Sequence, residues 1–337
     1  MTLSLAIIGT GRIAQLHAAA ARALENVRIV AAIDVDPAAA RAFAEQWDSP
    51  WWGTALEDYS DPLDGVIVCS PTALHHDHAL RAIKRGCAVL VEKPFARDVA
   101  EAQAMIDAAQ RRGVVITGGQ VLRFLPMFTW ARQAIADGVL GQPVQAIERR
   151  LVDRADNFPW WSELPAFLIS HWGSHSIDLL CSLLGDRAVE VYCQADSVRS
   201  QFGVVDDFSM QLRFASGVRA TSVMSFSSRH VVHDLVLIGT RGTLSFECYR
   251  SVALDGETVM EMPEGDMLAH GFAAQLEDFG GAIGGAASLA SASSVLPGLT
   301  ALAAAERSAL DGVVVALGGP DPAGVDLNGS SERLGDI

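Results

Sequence analysis

Positive charge is scarce in this 337-residue sequence: 25 Lys and Arg stand against 40 Asp and Glu, a formal net charge of -15. Nucleic acids and anionic membrane surfaces are held by clustered Lys and Arg that displace counterions. No such cluster is present, so neither is expected as a partner, and the acidity reads as a solubility feature. Cysteine is sparse as well. Cys69, Cys87, Cys181, Cys193 and Cys248 are odd in number and widely spaced, without a C-x-x-C pair, which argues against a disulfide framework and for a reducing cytoplasm. No basic stretch precedes the apolar residues at the N-terminus, and these run straight into a glycine turn, so a strand rather than a signal peptide is expected there. A long unbroken hydrophobic run is also missing. The alanine-rich segment 286–318 is interrupted by Pro297, Glu306, Arg307 and Asp311 and reads as a buried helix, not a membrane span. What is present is core-forming composition, 50% hydrophobic and 19% charged residues, over a length that suggests two domains, each able to bury a core.

The most informative stretch is near the start. An apolar run, Leu3 to Ile8, meets Gly9-Thr10-Gly11 and then Ala14, after which Ile13, Leu16 and several alanines recur at helical spacing. This predicts strand, glycine turn, helix. Gly9 permits the tight turn, Gly11 lets backbone approach a pyrophosphate, and Ala14 lets helix and strand pack closely, with phosphates on the unpaired N–H groups of the helix N-terminus. A G-x-G-x-x-A match by itself is weak, because glycine turns serve packing in many folds. Here a second apolar strand, Arg28 to Ile33, ends in Asp34 at 23 residues after Gly11, where a carboxylate should meet the adenosine ribose hydroxyls.

Strand and helix then alternate. Asp36-Pro37 opens a helix to about Trp47. Strands are expected at Gly65 to Cys69, Ala88 to Val91 and Val114 to Thr117, with helices at Ala73 to Arg85 and Asp98 to Arg112. Apolar strands alternating with helices imply a doubly wound parallel sheet in an α/β fold. Ligands in such sheets bind at the strands' carboxyl ends, so Gly9, Asp34, Ser70 and Lys93 should line one crevice. Near residue 120 the pattern changes, and we divide the chain there into domains 1–120 and 121–337. After a helix from about Phe124 to Asp137, alternation such as Phe208, Met210, Leu212 and Phe214 against Ser209, Gln211 and Arg213 marks half-exposed antiparallel strands. Similar runs lie at 143–151, 188–196, 217–226, 233–239 and 242–247, with Gly239-Thr-Arg-Gly242 as a hairpin turn. Helices are expected at 270–284 and 295–317, and the Gly/Ala/Ser-rich 280–294 reads as a mobile loop.

Taken in series, Gly9-x-Gly11-x-x-Ala14, Ser70-Pro71-Thr72-x-x-His75, Val91-Glu92-Lys93-Pro94, Arg123-Phe124-x-Pro126, His175-x-x-Asp178, Asp207 to Gly217 and Gly239-Thr-Arg-Gly-Thr-Leu244 resemble the glucose-fructose oxidoreductase / inositol dehydrogenase / rhizopine-catabolism (Gfo/Idh/MocA) family. The resemblance implies a Rossmann domain followed by an α+β domain with a large open, mostly antiparallel sheet, whose free face joins subunits into a homodimer or homotetramer. It implies NAD as cofactor in a cradle built from Gly9, Thr10, Gly11, Arg12, Ile13 and Asp34, completed by Ser70, Pro71, His75, Glu92, Lys93 and Gln120. NADP is expected less, since Asp34 and Asp36 would repel a 2′-phosphate and the first nearby base is Arg41. The implied activity is hydride transfer between nicotinamide and a secondary hydroxyl or ketone of a sugar, cyclitol or related polyol. Lys93 polarises the oxygen and His175 is the acid/base, roles that suit an ammonium beside a developing alkoxide and an imidazole near neutrality.

One position departs from the family's pattern. Its members often carry Asp four residues before the His, where this chain has His171. At helical spacing both imidazoles can share a face, so His171 is expected as a catalytic partner, a substrate ligand or a satisfied half-buried histidine. A zinc site from His171 and His175 lacks a third ligand and a following Glu, and no metal is expected. His76 and His78 read as solvated histidines. Arg123, Arg154 and Trp161, with its neighbour Trp160, are candidate substrate contacts that packing or surface pairing would explain equally well. Two other functions compete. One is an NAD-recycling glycosidase or lyase of the same fold, and the other is a non-catalytic NAD-binding regulator, which the presence of Lys93 and His175 disfavours.

Overall fold

The structure, a computed structural model, describes residues 2–154, 166–199, 203–247, 249–262, 265 and 267–317. Its first part alternates β1 (Leu3–Ile8), α1 (Arg12–Ala23), β2 (Val27–Ile33), α2 (Pro37–Trp47), β3 (Trp51–Gly53), β4 (Gly65–Val68), α3 (His75–Arg85), β5 (Ala88–Glu92), α4 (Val99–Arg112) and β6 (Ile116–Gly119). The six strands form one parallel sheet in the order β3-β2-β1-β4-β5-β6. Burial on both faces explains the unbroken apolar runs, since every residue of β4 and β5 is buried. Helix starts and stops follow local chemistry: Asp36 accepts from the Ala38 N–H with Pro37 in the first turn, Asp98 accepts from the Glu101 N–H, and Gly86 and Gly113 end α3 and α4 in left-handed conformation. The last strand sits two residues later than expected because the Val114 N–H closes the end of α4 on the Ala109 carbonyl. Strand β3, tryptophan-rich and only three residues long, carries too little periodicity to be read in advance.

The second part comprises α5 (Pro126–Ala136), β7 (Pro143–Asp153), α6 (Ser174–Leu184), β8 (Ala188–Asp196), β9 (Asp207–Phe214), β10 (Arg219–Ser225), β11 (Ser227–Gly239), β12 (Thr243–Glu247), β13 (Ser251–Leu254), β14 (Glu257–Glu261), α7 (Met267–Ile283), α8 (Ala292–Asp311) and β15 (Val315–Ala316). Nine strands make one sheet, β14-β13-β12-β11-β7-β10-β9-β8-β15. All neighbours are antiparallel except β10 against β7. The hairpin at Gly239 closes with the Gly239 N–H on the Gly242 carbonyl at 2.9 Å. Strands β13, β14 and β15 were not anticipated, and β15 falls where the helix expected over 295–317 was to continue: Gly312 ends α8 in left-handed conformation after Asp311.

The two sheets share a continuous hydrophobic core. Helix α7 returns to lie along α1, with Phe272 edge-on to His17 at 4.9 Å. Phe279 packs so close to Gly65 that a Cβ there would sit 2.9 Å from its ring. Helix α8 covers α6 and β8. The glycine-rich segment between α7 and α8 is fastened rather than loose: Asp278 accepts from Leu289 N–H and Ser288 hydroxyl, and the Ala290 carbonyl accepts from Gly118. Among the described residues, no helix is long and apolar enough to cross a membrane.

Candidate active site

The carboxyl ends of β1, β2, β4 and β5 meet where the sheet order reverses. Gly9 turns there at φ +87°, and a Cβ on it would lie 2.7 Å from the Ser70 N–H nitrogen, so only glycine fits. Gly11 caps α1 without a side-chain bond, and a Cβ there would meet no protein atom within 4 Å. The open space and the free N–H groups of the first turn suit a pyrophosphate. Asp34 is fixed beside this loop: one oxygen accepts from the Thr10 N–H (2.8 Å) and hydroxyl (2.9 Å), the other from the Asp36 N–H (3.1 Å). Burial pushes its carboxyl up, but these hydrogen bonds outweigh it and hold the group below its usual value, so it is ionised at neutral pH. Arg12 is exposed at the start of α1, Ile13 packs against the core, and Pro71 stands exposed before a short turn. These residues fit a dinucleotide whose ribose hydroxyls meet Asp34.

Strand β5 ends on Glu92 and delivers Lys93 over the crevice. Glu92 is buried and bound by His17 at 2.8 Å, while its second oxygen accepts from the Lys93 N–H at 3.1 Å. Lys93 Nζ points across to His171, lying 3.2 Å from Nδ1, 3.4 Å from Nε2 and 3.3 Å from its carbonyl oxygen. Desolvation, offset in part by Glu92 and reinforced by Arg150, lowers Lys93 to about 8. His171 is lowered to about 3 by burial and by the fields of Lys93, Arg154 and Arg12. Burial also puts His175 well below the normal histidine value, with Lys93, Arg150 and His171 adding to the effect. At neutral pH the three groups therefore hold one proton, on Lys93.

The two histidines are not hydrogen-bonded to each other. Residues Leu168–Gly173 form a π-helical turn that runs into α6, and its wider turn displaces the side-chain spacing of an α-helix. His171 instead stacks on Phe167, ring centroids 5.1 Å apart. His175 Nδ1 is sealed from solvent without a hydrogen bond, leaving Nε2 as the nitrogen able to meet a substrate. Beside them, Arg150 on β7 is 5% exposed. It donates to His233 Nε2 (3.1 Å) and the Tyr249 hydroxyl (2.5 Å), and its guanidinium lies 5.2 Å from the Trp172 ring centroid. Arg154 approaches the same indole at 5.8 Å.

Several expected site residues lie elsewhere or serve otherwise. Arg123 is no substrate contact: it is 3% exposed, and its N–H donors go to both oxygens of Asp178, to the Leu289 and Ser294 carbonyls and to the Ser294 hydroxyl. The two family motifs that carry Arg123 and Asp178 thus form one buried ion pair. His75 is buried, with its ring nitrogens on the carbonyls of Pro94 and Ser70, and burial lowers its pKa. His78, expected to be solvated, is half-buried and lies 2.9 Å from the Ser70 hydroxyl. Glu92 faces His17 and its own backbone neighbour, not the crevice. Gln120 is buried near Pro94 and Ser174. Trp160 and Trp161 lie outside the described residues. The sequence reading missed Arg150, Trp172, His17, His233 and Tyr249. Arg150 had a visible signal: Ala146, Glu148 and Arg150 occupy the inward register of β7, and a charge at an inward position asks for a reason.

Two family models cover this arrangement. Residues 3–120 match the oxidoreductase family with an NAD-binding Rossmann fold, and residues 128–245 match the GFO/IDH/MocA C-terminal domain. The chain belongs to the Gfo/Idh/MocA oxidoreductase family. It is 28% identical over 332 residues to inositol 2-dehydrogenase of Rhizobium meliloti strain 1021, covering 91% of this chain and 96% of that one. A 2,7-anhydro-N-acetylneuraminate hydratase of Mediterraneibacter gnavus is 26% identical over 268 residues, 76% of this chain and 71% of the hydratase. The crystal structure of a putative myo-inositol dehydrogenase from Sinorhizobium meliloti 1021 superposes with a TM-score of 0.81 at 25% identity, covering 94% and 100% of the two chains. This chain is accordingly a member of an NAD-binding oxidoreductase family.

Proposed function

We propose that the protein oxidises a secondary hydroxyl of a polyhydroxylated substrate, with Lys93 stabilising the developing alkoxide and His175 accepting its proton. Bound NAD supplies the hydride acceptor at the carboxyl edge of the parallel sheet. The observation that carries the reading is the placement of Lys93 Nζ at the end of β5, 3.2 Å from His171 Nδ1, with His175 following at the start of α6. Burial and the field of Lys93 lower both histidines, which favours a charged ammonium together with an unprotonated imidazole, the combination that alcohol oxidation requires. His171 accepts from Lys93 and aims its ammonium, so it acts as a positioning residue. The substrate hydroxyl itself selects the tautomer of His175, because no group in the described residues holds Nδ1.

The test is a pair of variants assayed by NADH formation across sugars, cyclitols and sugar acids. His175→Ala should lose about 10² to 10⁴ in kcat, and His171→Ala less, with NAD affinity kept in both. A dead His171→Ala beside an active His175→Ala would exchange the two roles. Release of NADH with substrate also separates net oxidation from NAD recycling, in which none accumulates. The reading includes a homodimer or homotetramer through the uncovered face of the nine-stranded sheet, where Ile147, Leu151, Val223, Val236 and Ile238 lie half-exposed at alternate positions. A monomer by light scattering would reject that part.

A further inference from the structure

We propose that the substrate carries an anionic group, a carboxylate or a phosphate ester, and that Arg150 binds it; the proposal rests on the dehydrogenase reading above. Arg150 is a buried cation whose hydrogen-bonding partners are the His233 imidazole, lowered by burial, and the Tyr249 hydroxyl. Among the described residues no carboxylate forms an ion pair with Arg150 or with Lys93. The acids nearby are already engaged. Glu92 is bound to His17, Asp234 to Arg149 and Asp178 to Arg123. Glu148, two residues along β7 on the same face, accepts the Ser176 hydroxyl on one oxygen and the Ser222 hydroxyl on the other.

Two buried cations that lack a direct ion-pair partner, with Glu92 reaching Lys93 only through its field, gain from a ligand that brings a negative charge to them. The oxidised nicotinamide ring adds a further positive charge in the ternary complex, and His171 and His175, both neutral, subtract none. The guanidinium is also held in advance. His233 and Tyr249 take Nε and Nη2, and the Trp172 indole lies against the plane, while Nη1 donates no hydrogen bond among the described residues. A preset guanidinium donor suits carboxylate and phosphate oxygens better than a neutral hydroxyl. Its field reaches the reacting groups, since it contributes to lowering both Lys93 and His175. An anion on Arg150 would therefore offset the second proton that His175 takes up during oxidation.

The experiment compares D-glucitol, D-gluconate and D-glucitol 6-phosphate, one carbon skeleton with no anion, a carboxylate or a phosphate, on the NAD-loaded protein. At least one anionic compound should exceed D-glucitol about 10- to 100-fold in kcat/KM, mainly through KM; which one does so identifies the group. Arg150→Gln should remove that advantage while NAD affinity, read by fluorescence titration, is retained. Arg150→Lys should keep part of it, and serves in place of Arg150→Gln if that variant fails to fold. D-glucitol turning over as well as both anions, or a preference that survives the loss of Arg150, overturns the proposal and leaves the dehydrogenase reading standing. If none of the three yields NADH, their binding is titrated by tryptophan fluorescence. Arg150-dependent binding of an anion then keeps the inference, while the dehydrogenase reading fails only if the wider set of sugars, cyclitols and sugar acids yields no NADH either; absence of anion binding rejects the inference.

Discussion

Lys93→Arg separates the charge of Lys93 from its titration. Desolvation, with Arg150 adding repulsion and Glu92 opposing, brings this ammonium from 10.5 to about 8, a difference of roughly 3 kcal/mol between its two protonation states. If the ammonium is what stabilises the alkoxide, kcat/KM for alcohol oxidation should be level up to about pH 7, fall to about half near pH 8 and drop about tenfold per pH unit well above it. About nine-tenths of the protein carries the charge at pH 7 and about one-tenth at pH 9, by the one-proton titration curve. The acidic limb belongs to His175, whose lowered value places it below pH 6.5. Arginine stays protonated across this range, so Lys93→Arg should lose the alkaline limb even if the bulkier head lowers the plateau. Initial rates of NADH formation from about pH 5 to pH 10, at saturating NAD, decide it. A wild-type kcat/KM that climbs through pH 8 would refute the reasoning. In that case the neutral amine of Lys93 takes the proton, and His175 serves as the polarising group.

Gly9→Ala should abolish NAD binding measured by fluorescence, because its Cβ meets Ser70 and Cys69 backbone atoms at 2.7–2.8 Å and φ is +87°; retained affinity would mean the loop rearranges freely. Asp34→Ala should narrow the preference for NAD over NADP by removing a carboxylate ionised at neutral pH, and equal wild-type affinity for both cofactors would remove the role of Asp34. Arg123→Met should lower stability in a thermal or denaturant melt by about 3–5 kcal/mol, since it leaves Asp178 buried and unpaired; a neutral effect would show that the site relaxes or admits water.

The strand–glycine turn–helix, the carboxylate at Asp34 and the lysine at the end of β5 were legible in the sequence because each is local. Glycine placement, strand length and helical spacing are set by backbone sterics and by which face is buried, within a few tens of residues. The same holds for the alternation in β9 and for the hairpin at Gly239. Contacts between distant segments belong to the tertiary structure. Arg123 looked like a substrate ligand until the fold brought Asp178 and Ser294 to it from 55 and 171 residues away. Four-residue spacing placed His171 beside His175, yet the π-helical turn sends it to Lys93, 78 positions earlier. The parallel pairing of β10 with β7, and the meeting of Arg150 with His233 and Tyr249 across the sheet, depend on register between strands more than 60 residues apart. Periodicity tells which side of a strand faces inward. It does not tell which charge from another strand will be waiting there.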